Sequence, residues 1–116
     1  MKTLKIKVSK WLHGKTKKLL GGSQLFRQAD GKMCCLGFYC LMLGVPRQIM
    51  LRRLSPSDIP NAYKDLLPNW LVHPAGGLTP DGDTLMEIND AVGHKSRCRE
   101  IKKIFARHDV KVEFVE

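Results

Sequence analysis

Aromatic residues are scarce in this chain: Phe, Trp and Tyr make up 7% of 116 residues. Bases stack on aromatic side chains, so few stacking platforms are on offer. No helix-turn-helix, zinc-finger or RNP-type sequence can be placed either, which excludes those recognition modules. The four cysteines, Cys34, Cys35, Cys40 and Cys98, contain no Cys-x-x-Cys pair, and a bridge between the adjacent Cys34 and Cys35 would close a strained ring. Long apolar runs are missing too. The most apolar stretch, Met33 to Val45, is too short to span a bilayer. Met1 to Lys18 is charged and lacks the continuous apolar core of a secretion signal. The expectation is a cytoplasmic protein with free thiols and no membrane partner.

Acidic residues are absent from the first 29 positions, where Lys2, Lys5, Lys7, Lys10, Lys15, Lys17 and Lys18 occur. A second basic run holds Lys95, Arg97, Arg99, Lys102, Lys103, Arg107 and Lys111, while residues 54–90 are richer in Asp and Glu. The formal net charge is +9. A positive field of this kind attracts and steers phosphate-rich partners. At 43% hydrophobic residues the chain can bury a core of ordinary size, and its length fits a single domain over residues 1–116.

Leu4, Ile6 and Val8 alternate with polar residues, the period of a strand with one buried face. Ser23 to Ala29 reads as a weak strand and Asp30-Gly31 as a turn. Met33 to Leu43 is apolar all round, which predicts a central buried helix, with Gly44 as its C-terminal cap and Gly37 at a close packing contact. Short helices are expected near 48–54 and 61–67. Pro74 to Gly82 reads as a long mobile loop. Thr84 and Glu87 have capping-box spacing before a short helix ending near Gly93. Ser96 to Arg107 predicts an amphipathic helix with Cys98, Ile101, Ile104, Phe105 and His108 on the apolar side and Lys95, Arg99, Lys102, Lys103 and Arg107 on the other. Val110, Val112 and Phe114 alternate again as a final strand. The expected fold class is α+β: a small antiparallel sheet including both terminal strands, packed against the Cys-rich helix and the amphipathic C-terminal helix. If the terminal strands pair, the two basic runs converge on one surface.

Constellations that could carry chemistry are weak. His94 and Cys98 have one zinc-type spacing, but Cys98 falls on the apolar stripe. Cys34 at a helix start could act as a nucleophile, with His13, His73 or His94 as bases, yet none has a supporting motif. Asp81-Gly82-Asp83 lacks the later ligands of a calcium loop. Gly21-Gly22-Ser23 could cradle a phosphate on its backbone N–H groups, although it is not a Walker motif. No cofactor, metal or catalytic residue is assigned.

Two blocks are more specific together than singly: Gly31-Lys32-Met33-Cys34-Cys35-Leu36-Gly37, and Leu85 to Asp90 about fifty residues later. With Trp11-Leu12, Leu25-Phe26-Arg27, Ile101 to Phe105 and Val112-Glu113-Phe114-Val115, they resemble a family of small tailed-phage and prophage accessory proteins. The family pattern follows Asn-Asp with Gly or Asp and an acidic stretch. Here Ala91-Val92-Gly93-His94-Lys95 follows, which makes this chain more basic. The resemblance implies a viral protein that binds and neutralises a host component. It supplies no catalytic residues, but marks Arg27, Lys32, Asn89 and Asp90 as polar members of the matched blocks.

The sequence reading is therefore a non-enzymatic binding protein of the host cytoplasm. It captures an anionic host ligand, a nucleotide signal or a nucleic-acid-containing host complex, for counter-defence or host takeover. Homo-oligomer formation stays open. A DNA- or RNA-binding regulator is the second class, and a small nucleotide- or thiol-dependent enzyme the third. The candidate ligand-binding residues are Lys5, Lys7, Arg27, Lys32, Asn89, Asp90, Arg99 and Lys103.

Overall fold

The outermost segments of the chain pair with each other. In the computed structural model, which describes residues 2–11, 25–27, 31–51, 53–90 and 94–116 (backbone alone at 94 and 95), β1 (Lys2–Lys7) hydrogen-bonds to β2 (Val110–Val115). The register runs from Lys2 opposite Val110 to Lys7 opposite Val115. Partners in register share a face, so Leu4 and Ile6 join Val110 and Val112 in the core. Thr3, Lys5, Lys7, Lys111, Glu113 and Val115 occupy the other face.

The strands are parallel, not antiparallel as expected from the sequence. Alternation identifies a strand's buried face but carries no direction. Direction is set by the connection, and parallel strands need a long crossover. Here the crossover is the whole body of the protein, residues 8–109, ending in helix α5 (His94–Ala106). Asp109, at φ 65°, makes the reversal from that helix into β2.

Helix α1 (Cys35–Met42) is the central buried helix, with Cys35, Leu36, Tyr39 and Cys40 in the core. It stops as its sequence predicts. Gly44 N–H donates to Leu41 O and Val45 N–H to Cys40 O, both at 3.0 Å, and Gly44 takes φ +106°. That pair of bonds is a Schellman cap, and the positive φ is why glycine stands there. Gly37 makes the expected close contact: a Cβ there would lie 2.0 Å from Leu25 O.

Between α1 and the C-terminal half lie two single turns of helix, α2 (Arg47–Met50) and α3 (Asn61–Lys64). Ser23–Ala29 is not a strand over its described part. Phe26 bridges to Leu51 and Arg27 to Lys32, each as an isolated pair.

Helix α4 (Pro80–Asp90) starts four residues before Thr84, inside the stretch expected to be a loop. Thr79 is its cap, with Oγ1 accepting from Gly82 N–H at 3.2 Å, and Pro80 sits where a missing N–H costs nothing. Asp81 and Asp83 complement the first turn. Gly82 is required by packing, since a Cβ would come within 2.7 Å of Leu71 O. Thr84 instead bonds back to Pro80 O at 2.9 Å.

Helix α5 carries the predicted apolar stripe. Ile101, Ile104 and Phe105 are buried and Cys98 is half-buried. It packs on β2, α1 packs on β1, and α4 lies against both helices. Tyr39, Trp70 and Phe105 form an aromatic cluster with centroids 5.0–5.7 Å apart. His108 stacks on Trp70 at 4.0 Å and meets Asp81 through Nε2 at 2.7 Å, tying the end of α5 to the first turn of α4. Among the described residues no helix is long and apolar enough to cross a membrane.

Two glycines separate packing from backbone geometry. Gly37→Ala forces Cβ into a backbone carbonyl and should destabilise by about 3 kcal/mol, the upper part of the overpacking range. Gly31→Ala meets nothing within 4 Å and should cost only about 1–2 kcal/mol for its positive φ. Urea denaturation of both variants measures the difference. A Gly37→Ala shift below that of Gly31→Ala contradicts the α1 contact.

Candidate functional site

Asn89 lies in the last turn of α4 and is 1% exposed. Its Oδ1 accepts from Trp11 Nε1–H at 2.8 Å and from Cys35 N–H at 3.0 Å. Cys35 opens α1, where the first N–H groups have no partner within the helix. The preceding residue, Cys34, makes no side-chain cap. Asn89 therefore caps α1 from a different helix, and the same oxygen holds the indole that follows β1. Trp11 is also fixed by Phe114, 4.8 Å away between centroids, and by the buried Arg97 guanidinium 5.8 Å from its ring.

This joint sets the chain for what lies beside it. Met33 N–H donates to Lys10 O at 2.9 Å, and Trp11 and Met33 form a parallel bridge. Arg27 N–H to Lys32 O and Gly31 N–H to Arg27 O, both 2.8 Å, hold the turn leading into Met33. Leu25 N–H to Arg53 O at 3.0 Å, with the close approach at Gly37, seats Phe26 near α1.

The result is an open groove of about 410 Å³ lined by Lys7, Lys10, Phe26, Gly31, Met33, Phe38 and Arg47. Lys7, Lys10 and Arg47 are exposed, and Phe26 and Phe38 are half-buried. No carboxylate is among these lining residues. Among the described residues the cations there converge without a counter-charge beside two apolar ring surfaces, so the groove suits an anion with an apolar or planar part. A larger cleft of about 540 Å³ near Trp70 is less suited. There Asp65 and Asp109 oppose Lys2, and His108 is already committed to Asp81 and Trp70.

The sequence-predicted residues separate into three places. Lys7 lines the groove, Lys5 stands on the same outer sheet face, and Arg27 and Lys32 frame the turn that carries Gly31. Arg99 and Lys103 are on the exposed side of α5, with Lys103 3.9 Å from Glu100. Because α5 packs on the inner face of the sheet, Arg99 and Lys103 lie across that layer from Lys5 and Lys7, whereas Lys111 of the second basic run shares the outer face with them. Asn89 is enclosed in the joint. Asp90 accepts from Asn89 Nδ2 at 3.3 Å and borders a small crevice with Cys34, Cys35 and Met86. Gly21-Gly22-Ser23 falls outside the described residues, as do the side chain of His94 and all of His13.

Sequence reasoning left Lys10, Phe26, Phe38 and Arg47 out of the site. Arg47 carried no legible signal, because α2 is a single turn whose first and last turns coincide, so a basic residue there is no mismatch. Phe38 carried none, because an all-apolar helix does not reveal which ring reaches the surface.

The cysteines are free, with Cys34, Cys35 and Cys40 buried. Burial pushes the Cys34 thiol up to about 11 from an ordinary 9.0, and holds Cys35 and Cys40 well above it too. These three stay protonated at neutral pH and are poor nucleophiles. Cys98 is raised by burial, with Arg97 and Lys102 pulling the other way. Among the described residues no group of His, Cys, Asp and Glu is arranged to hold a metal ion.

Comparison with family models, with curated proteins and with solved structures gives no match for this chain.

Removing the joint should be costly. Asn89→Ala leaves an indole N–H and a backbone N–H without their acceptor, each worth about 1–3 kcal/mol when buried. Trp11→Phe removes the indole donor and part of a buried ring, so about 2–4 kcal/mol is expected from the lost bond and the cavity together. The double variant should fall short of the sum by about 1 kcal/mol, as coupled partners do. Additive losses in a denaturation cycle would mean that the two side chains do not act on each other.

Proposed function

We propose that this chain is a phage accessory protein that works by binding, and that it captures an anionic host ligand in the groove between the end of β1, the turn before α1, α1 itself and α2. The role is counter-defence or host takeover, exercised in the host cytoplasm. The observation that carries this reading is the groove itself: Lys7, Lys10 and Arg47 around Phe26 and Phe38, with no carboxylate among the described lining residues. The net charge of +9 adds long-range attraction for an anion. The resemblance of the Cys-Cys-Leu-Gly and Ile-Asn-Asp blocks to phage accessory proteins supports the setting.

A second reading, a DNA- or RNA-binding regulator, draws on a different surface. Arg99, Lys102 and Lys103 are exposed along α5, and a basic helix face can follow a phosphate backbone. It has charge but no base-reading pattern.

Charge reversal separates the two. Lys7→Glu, Lys10→Glu and Arg47→Glu together should abolish complementation of a phage lacking the gene, plated on a host that restricts it. The triple variant should melt within a few degrees of the wild type, since exposed substitutions change stability by less than about 0.5 kcal/mol each. Arg99→Glu with Lys103→Glu should leave complementation intact. The reverse pattern would transfer the function to α5, and full activity of both variants would defeat the anion-capture reading.

A further inference from the structure

We infer that the ligand of this groove is a mononucleotide or dinucleotide, held by its phosphates on Lys7, Lys10 and Arg47 and by a base against Phe26 and Phe38. The inference rests on the proposed reading of the groove as an anion site and adds the chemical class. Three features of the groove favour it over other anions.

The first is the pairing of charge with ring surface. A simple inorganic anion would use Lys7, Lys10 and Arg47 and leave the phenyl rings with nothing to cover. Phe26 and Phe38 come from separate segments, one seated by Leu25 N–H to Arg53 O and the other on α1, yet both reach the same groove. Every nucleobase offers a planar face to such rings, and stacking of this kind tolerates any base.

The second is size. At about 410 Å³ the groove is at the lower end of the range for small-molecule sites, roughly 300–1,000 Å³. That volume suits one or two nucleotide units. A longer strand needs a track of cations leading away; the exposed cations of α5 lie across the sheet layer from Lys7, and on the outer face Glu113 stands opposite Lys5 and 3.5 Å from Lys111, which interrupts such a track.

The third is the kind of cation. Lys7 and Lys10 are adaptable point charges, and Arg47 brings a planar fork that can grip two phosphate oxygens at once. Together they can follow the oxygens of one or two phosphate groups, which a single fixed donor set could not.

Calorimetry on the full chain tests this with four probes: AMP, a diadenylate, tripolyphosphate, and a single-stranded oligonucleotide of about twenty residues. The expected result is that at least one of the two small nucleotides binds one per chain and more tightly than tripolyphosphate. Phe38→Leu should weaken nucleotide binding by about tenfold and leave tripolyphosphate unchanged, while Lys10→Glu weakens both. Phe26→Leu serves as the second ring variant should Phe38→Leu melt early. Tripolyphosphate binding at least as tight as either nucleotide, with both ring variants neutral, overturns the inference and leaves anion capture standing. Binding of the oligonucleotide alone, with a steep salt dependence, overturns it in favour of a polymer. Failure of every probe also overturns it. The proposed function falls with it only if the groove charge-reversal variant still complements the phage.

Discussion

A single side-chain oxygen, Oδ1 of Asn89, carries the connection between three parts of this fold. It receives the indole N–H of Trp11 and the first N–H of α1. Either donor left alone in this buried place would carry a desolvation cost, so the joint is needed as a unit. It holds the end of β1 against the start of α1 and the end of α4. A parallel pairing of the two chain ends depends on that. β1 and β2 are separated by the whole body of the protein, so their register requires the body to return at one defined place.

The same joint also supports the groove proposed as the binding site, without lining it. Trp11 and Met33 are bridged, and Lys10 O receives Met33 N–H. Fixing Trp11 therefore fixes two walls of the groove, while Phe38 stands about one turn into the helix that Asn89 caps. Binding residues held by a rigid frame need little ordering when a ligand arrives, which favours affinity. The thiols, by contrast, are spent on packing. Three of them are buried and kept protonated, which leaves the Cys-Cys block a structural part of α1.

Much of the frame was legible in residues alone. The alternation at Leu4 and Ile6, the apolar helix ending at Gly44, the contact at Gly37 and the stripe of Ile101, Ile104 and Phe105 all follow from periodicity and backbone geometry. Strand direction did not, because alternation is the same for either sense. The start of α4 was obscured by its own glycine and prolines: Pro80 and Gly82 read as loop residues, but one fills a first helical position and the other permits contact with Leu71 O. The proposed site was legible in part. Lys7, Arg27 and Lys32 fall at or beside the groove, whereas Arg47 and Phe38 are brought to it by tertiary packing that leaves no pattern. The Asn-Asp block was visible as a motif, but only the fold shows Asn89 serving as a cap for a helix fifty-four residues away in sequence.

The central claim is that binding happens in the groove beside this joint. Backbone and indole amide spectra, recorded while AMP or a diadenylate is titrated into isotope-labelled protein, test it most directly. The account predicts shifts clustered at Lys7, Lys10, Gly31, Phe38 and Arg47, with the Trp11 indole signal retained in its buried position. Shifts confined to Arg99, Lys102 and Lys103 on α5, or a spectrum that does not change at all, would contradict it.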